Sequence, residues 1–200
     1  MRHGLFPIAL ALAAPAAAQT AGTLDQVSAH LRGISTMTAD FVQTDRSGKA
    51  VSGTLTLRQP GRIRFQYEKG VPLLIVGDGT ALTMIDYSVR QVSRWPVGNS
   101  PLSVLIDPRK DMSRFARITT SAIPGMVMVE ARDPKHPEFG TITIAFAKGG
   151  GPGGLTLAGW TVLDAQNGRS TVRLSNQRFG VPISDRAFKW DDPRPKGPGK

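Results

Sequence analysis

Over residues 37–67 the chain reads MTADFVQTDRSGKAVSGTLTLRQPGRIRFQY, apolar on alternate positions, with breaks at Ser47-Gly48-Lys49 and at Pro60-Gly61. A period of two puts every second side chain on one face of a strand, so the pattern predicts three consecutive antiparallel strands joined by tight turns. In the second strand Val51, Gly53, Leu55 and Leu57 share a face, and in the third Ile63, Phe65 and Tyr67 do. The opposite face carries Ser52, Thr54, Thr56 and Arg58, then Arg62, Arg64 and Gln66. The apolar face needs a cover. Its own core, a helix or a bound apolar ligand would serve, and the choice decides the function.

Upstream of the meander the period changes to that of a helix. Thr23 is a suitable N-cap, Leu24, Val27, Leu31 and Ile34 follow at helical spacing, and Gly33 marks the end, which predicts a helix over 23–33. Downstream, 71–77 reads as a strand with Pro72 at its start, Asp78-Gly79 as a hairpin turn, and 81–87 and 89–95 as further strands. Asn99 or Ser100 then caps a short helix with Pro101 in its first turn and Leu102, Leu105 and Ile106 on one side, and Pro108 ends it. A helical turn over 110–115 carries Met112 and Phe115. Strands resume over 117–122, 126–132, 140–147, 155–163 and 170–178, with a glycine-rich loop at 149–154 and a hairpin turn at Asn167-Gly168. Ten or eleven strands joined mainly by hairpins predict one antiparallel sheet, and a sheet of that many strands curls or closes.

The first residues set the expected compartment. Met1-Arg2-His3 is a basic start, 5–14 is an apolar run too short to span a bilayer, and Ala16-Ala17-Ala18 suits a signal peptidase. Residues 1–18 are therefore expected to be a secretory signal peptide cleaved after Ala18, and the mature protein to be periplasmic. The rest divides into one domain over 19–190 and a basic tail over 191–200, rich in proline and glycine and expected to be disordered. The chain has no cysteine, which excludes disulfides, thiolate metal sites, a cysteine nucleophile and a lipid anchor on cysteine. Its net charge is +10 and its pI about 10.7. Nucleic acid is not the expected partner of an exported protein, so the excess points to anionic surfaces, acidic proteins or simple solvation.

Catalytic signals are weak. Of the three histidines, His3 lies in the leader, His30 on the first helix and His136 in the loop DPKHPE, and none has a histidine neighbour at ligand spacing. Asp133, His136 and Glu138 read as a solvated turn rather than a metal site. The run 149–154 lacks the Lys-Ser/Thr ending of a phosphate loop, no GxSxG elbow occurs, and Asp86 and Asp164 sit where strand-end turns use aspartate. No enzyme activity, cofactor or metal is expected. What the chain does have is adaptable apolar side chains. Met84, Met112, Met126 and Met128 suit either core filling or a surface that accepts varied apolar shapes.

Four phrases in order, TADFVQT, SGTLTLRQPGRIRFQY, LLIVGDGTALTMID and NSPLSVLID, resemble the outer-membrane lipoprotein carrier proteins of the LolA type. The similarity covers nearly the whole mature chain. It implies a mainly β fold with short helices, an unclosed antiparallel half-barrel of about eleven strands under an α-helical lid. It also implies a periplasmic carrier that shields the acyl chains of lipoproteins between inner and outer membrane. On this resemblance the apolar ligand is expected to meet Phe41, Leu55, Leu57, Ile63, Phe65, Tyr67, Met84, Leu102, Leu105, Ile106, Met126 and Met128. Family members commonly carry an arginine before the proline of the RP-type phrase, where it helps hold the lid. Here that residue is Gln59, so Gln59 and Arg58 beside it are the expected lid-closing residues, and a glutamine can donate hydrogen bonds to lid carbonyls but carries no charge. The implied partners are lipidated outer-membrane lipoproteins, an inner-membrane ABC-type releasing complex and an outer-membrane receptor, and a monomer is expected. The residues alone leave other readings open. These are a sensor or interaction module of the same fold, a carrier of another lipid, or a β scaffold whose helices fill the barrel.

Overall fold

A computed structural model describes residues 23–96, 101, 103–109 and 111–195 of the 200-residue chain. The first element is helix α1 (Leu24–Gly33). The Thr23 hydroxyl accepts from the Gln26 N–H at 3.1 Å, and Val27, Leu31 and His30 on one side of the helix are buried. Six strands follow: β1 (Thr36–Thr44), β2 (Ala50–Arg58), β3 (Arg62–Tyr67), β4 (Leu73–Asp78), β5 (Ala81–Asp86) and β6 (Gln91–Pro96). A short helix α2 (Ser103–Ile106) comes next, then β7 (Ala116–Thr119), β8 (Met126–Arg132), β9 (Thr141–Lys148), β10 (Leu155–Leu163) and β11 (Arg169–Phe179). The predicted turn near 110–115 is a single 3-10 turn, Met112–Arg114. The predicted caps Asn99 and Ser100, the leader and the end of the tail lie outside the described residues. No helix among the described residues is long and apolar enough to cross a membrane.

All eleven strands among the described residues belong to one antiparallel sheet, in the order β6-β5-β4-β3-β2-β1-β11-β10-β9-β8-β7. Two meanders are therefore stitched at β1 and β11, the first strand and the last. Strands β6 and β7 form the two edges and do not pair with each other, so the barrel is unclosed. The segment containing α2 links one edge to the other and packs on the inner face. This is the half-barrel and helical lid that the resemblance implied.

Alternation assigns the faces. Met37, Ala39 and Phe41 of β1, Leu55 and Leu57 of β2, and Ile63, Phe65 and Tyr67 of β3 point inward, joined by Ile142, Ile144 and Phe146 of β9 and by Leu157 and Trp160 of β10. Val27, Leu31 and Ile34 beside α1 and Val104 and Leu105 of α2 complete this core. The loop 149–154 is a dock for α1. His30 Nδ1 lies 2.6 Å from the Pro152 carbonyl oxygen and Gln26 Nε2 donates to the Gly153 carbonyl at 3.3 Å.

The outer face has a cover of its own over β3 to β6. Leu74, Val76 and Ile85 point outward there and are buried under Val92, Phe188 and Trp190. The sequence places apolar residues on both sides of β4 and β5, the mark of a sheet packed on both faces. The segment 183–190 is held down by arginines of β2 and β3. Arg58 donates to the Ile183 carbonyl at 3.0 Å and pairs with Asp185, Arg62 pairs with Asp185 at 2.6 Å, and Arg64 donates to the Lys189 carbonyl at 2.9 Å. Arg58 also lies over the Phe188 ring, 5.4 Å from its centre.

Candidate functional site

Between the inner face of the sheet and α2 lies a cavity of about 180 Å³. Its lining comes from both halves of the sheet. Ile63, Phe65 and Tyr67 stand on β3, Ile75 and Leu82 on β4 and β5, Trp160 and Val162 on β10, Val172 on β11, and Leu105 and Ile106 on α2. An edge-to-face aromatic chain stiffens the wall: Phe41 to Tyr67 at 5.2 Å, Phe41 to Phe65 at 5.5 Å and Phe65 to Trp160 at 5.9 Å between ring centres. Three polar side chains share the cavity: Gln43, Ser170 and the Tyr67 hydroxyl. Burial pushes the Tyr67 phenol up to about 12, so it stays a hydrogen-bond donor at neutral pH.

The residues singled out from the sequence divide into groups. Ile63, Phe65, Tyr67, Leu105 and Ile106 line the cavity. Phe41, Leu55 and Leu57 are buried in the same core, Phe41 against the aromatic wall and Leu55 and Leu57 around a narrow crevice under α1 with Leu31 and Leu105. Met84 pairs with Ile75 and so shares the inner face, but it does not border the cavity. Met126 and Met128 do not line the interior. They alternate with Val127 and Val129, which are in the core, and their partners on β9 are Ala147 and Ala145 of the outer face. Leu102 lies outside the described residues. Trp160, Val162 and Val172 line the cavity without having been singled out, although Trp160 and Val162 alternate with polar Thr161 as inward residues do.

The expected lid closure is also corrected. Arg58 is on the outer face and holds the segment 183–190 rather than α2. Gln59 does lie under α2, lining the crevice with Leu105, but it does not donate to a lid carbonyl. Its Oε1 accepts from the Gly61 N–H at 3.2 Å, and its buried Nε2 has no partner. Among the described residues a main-chain hydrogen bond joins this turn to the lid: the Gly61 N–H also donates to the Ile106 carbonyl at 3.1 Å. Gly61 takes φ +74°, and a Cβ there would meet the Gly79 backbone, so the turn demands glycine.

Among the described residues no three His, Cys, Asp or Glu side chains converge as a metal site requires. His136 Nδ1 lies 2.9 Å from Glu138 Oε1 at the surface, while Asp133 accepts from the Lys135 N–H. The site is an apolar container with one polar end.

Residues 32–191 match the family model described as outer membrane lipoprotein carrier protein LolA. The chain belongs to that family. Relatives in the LolA family include the outer-membrane lipoprotein carrier protein of Chromobacterium violaceum, 29% identical over 94% of this chain and 90% of its own length. That of Dechloromonas aromatica is 26% identical over 86% of this chain and 85% of its own length. Among solved structures, an uncharacterized conserved protein from Thermus thermophilus is similar in fold, with TM-score 0.51 at 10% identity over 84% of this chain and 92% of that one.

Proposed function

We propose that this protein is a periplasmic carrier that holds the acyl chains of lipoproteins in the cavity beneath α2 and ferries them from inner to outer membrane. The observation that carries this reading is an apolar cavity roofed by a short helix. Each methylene moved out of water contributes about 0.8 kcal/mol, so several acyl chains in transit need a large apolar cover. The cavity of about 180 Å³ is smaller than the about 300–1,000 Å³ of ordinary ligand pockets. Cargo therefore has to lift α2 and take over the contacts of Leu105 and Ile106. Family membership supports lipidated lipoproteins as the cargo, an inner-membrane releasing complex as donor and an outer-membrane receptor as acceptor.

The reading is tested by native mass spectrometry of the mature protein after incubation with membranes that contain the releasing complex and ATP. Wild type is expected to carry a lipidated lipoprotein. Leu105→Glu places a charge on the roof and should lose the cargo while circular dichroism still reports the sheet. Free lipid alone on the wild type would point to another cargo. Normal lipoprotein loading by folded Leu105→Glu would sink the cavity assignment.

A further inference from the structure

We infer that Gln43, Tyr67 and Ser170 form a subsite at one end of the cavity that donates a hydrogen bond to the carbonyl oxygen of an acyl ester or amide. The inference rests on the acyl-chain reading above and adds a fixed position for the polar end of the chain.

The three side chains come from β1, β3 and β11, and all of them border the same cavity as Ile63 and Leu105. They form a relay with one direction. The Tyr67 hydroxyl donates to Gln43 Oε1 at 2.6 Å, and Gln43 Nε2 donates to Ser170 Oγ at 3.1 Å. A carbonyl oxygen can only accept, so Tyr67 has to be the donor to Gln43. Ser170 accepts in its turn, which leaves its own hydroxyl hydrogen, and the second hydrogen of the Gln43 amide, to be donated elsewhere. The cluster thus offers donors to whatever enters. Among the described residues no cationic side chain lines the cavity, so the group that fits is a neutral acceptor. A phosphate or carboxylate would be buried there without a counter-charge.

The position suits an acyl ester. The triad lies near the strand ends that lead into the turns at 45–49, 68–72 and 164–168. Ile63 is four steps back along β3, beside the Gly61 tie to the roof, which is about 13 Å at the usual rise per residue. The acyl chains of one leaflet span about 15 Å, half of a bilayer core. A chain with its carbonyl at Ser170 therefore runs past Phe65 toward Ile63 and Leu105. A triad that served only to tie strands together would discriminate nothing among ligands.

Two probes separate these roles: a long-chain monoacylglycerol and the alkyl glycerol ether of equal length, which lacks the carbonyl. Both are titrated by calorimetry below their micelle concentrations. Wild type is expected to bind the ester about 2- to 10-fold tighter, the worth of one neutral hydrogen bond. Ser170→Ala removes one donor and should narrow the ester's advantage. The triple variant Gln43→Leu, Tyr67→Phe, Ser170→Ala removes all three and should bring the ester down to the affinity of the ether, with circular dichroism reporting the fold. Ser170→Thr keeps the hydroxyl and should keep the preference. Equal affinities in wild type, or an ester preference that survives the triple variant, would overturn the subsite and leave the carrier reading standing. Binding of neither probe to wild type would overturn both.

Discussion

At the scale of single residues, Gly53 and His30 show how tightly the inner face is filled. The sequence pattern puts Gly53 among inward apolar positions, and the Phe41 ring lies over it: an added Cβ would stand 2.7 Å from that ring. A glycine within a strand weakens it, and here it is the space that admits the aromatic wall. His30 is fully buried beside Phe146, with Nδ1 held to the Pro152 carbonyl and Nε2 without a partner. Since that carbonyl accepts, Nδ1 carries a hydrogen, and a second proton on the buried Nε2 would have no acceptor, which favours the neutral ring. Burial, partly offset by the Pro152 bond, holds its pKa below the usual 6.5. The unfolded chain therefore takes up the proton first as pH falls. The stability from neutral His30 is complete above about pH 6.5 and declines below it until the folded pKa is reached. Urea midpoints at pH 7.5 and 5.5 should fall more in wild type than in His30→Gln, which keeps a donor for Pro152 and cannot titrate. Equal falls in the two proteins would remove His30 as a source of the acid loss.

Elements divide into those whose faces the pattern reveals and those whose faces it hides. The meander β1 to β3 is legible because its alternation is apolar on one side and polar on the other. In β8 Met126 and Met128 are as apolar as Val127 and Val129, so the pattern carries no parity, and the face expected of the methionines is the wrong one. The strap over 183–190 is hidden for another reason. Arg58, Arg62 and Arg64 read as a solvated outer face, and their partners lie more than a hundred residues away. Its aromatic residues and the outward apolar residues of β4 and β5 are the available signal. The strap covers Leu74, Val76 and Ile85, so truncating its aromatics has a defined cost. Phe188 and Trp190 are each half-buried, and Phe188→Ala or Trp190→Ala should lose roughly half of the ~3–5 kcal/mol that a fully buried aromatic loses. Denaturant unfolding measures the loss. No change in midpoint with either variant would mean that the strap is dispensable for the outer cover.

On the scale of the whole molecule, the acids and bases are used differently. Asp45, Asp78, Asp86, Asp111 and Asp164 each accept from backbone N–H groups of their own turns, which accounts for much of the acidic side locally. Of the 25 lysines and arginines, ten lie on the strands, two on the strap and thirteen elsewhere along the chain. The cavity, by contrast, is a property of no single element, because its walls come from both meanders. Their junction has a consequence for how the molecule is made. Strand β1 lies between β2 and β11, so the second strand partner of the first strand is the last one in the chain. As the chain is laid down in order, two open meanders accumulate, each showing its apolar side to water, and neither can complete the core until the final strand arrives. Contacts this distant in sequence make folding slow. The interval is a window for mispairing and for capture by any factor that binds exposed strands.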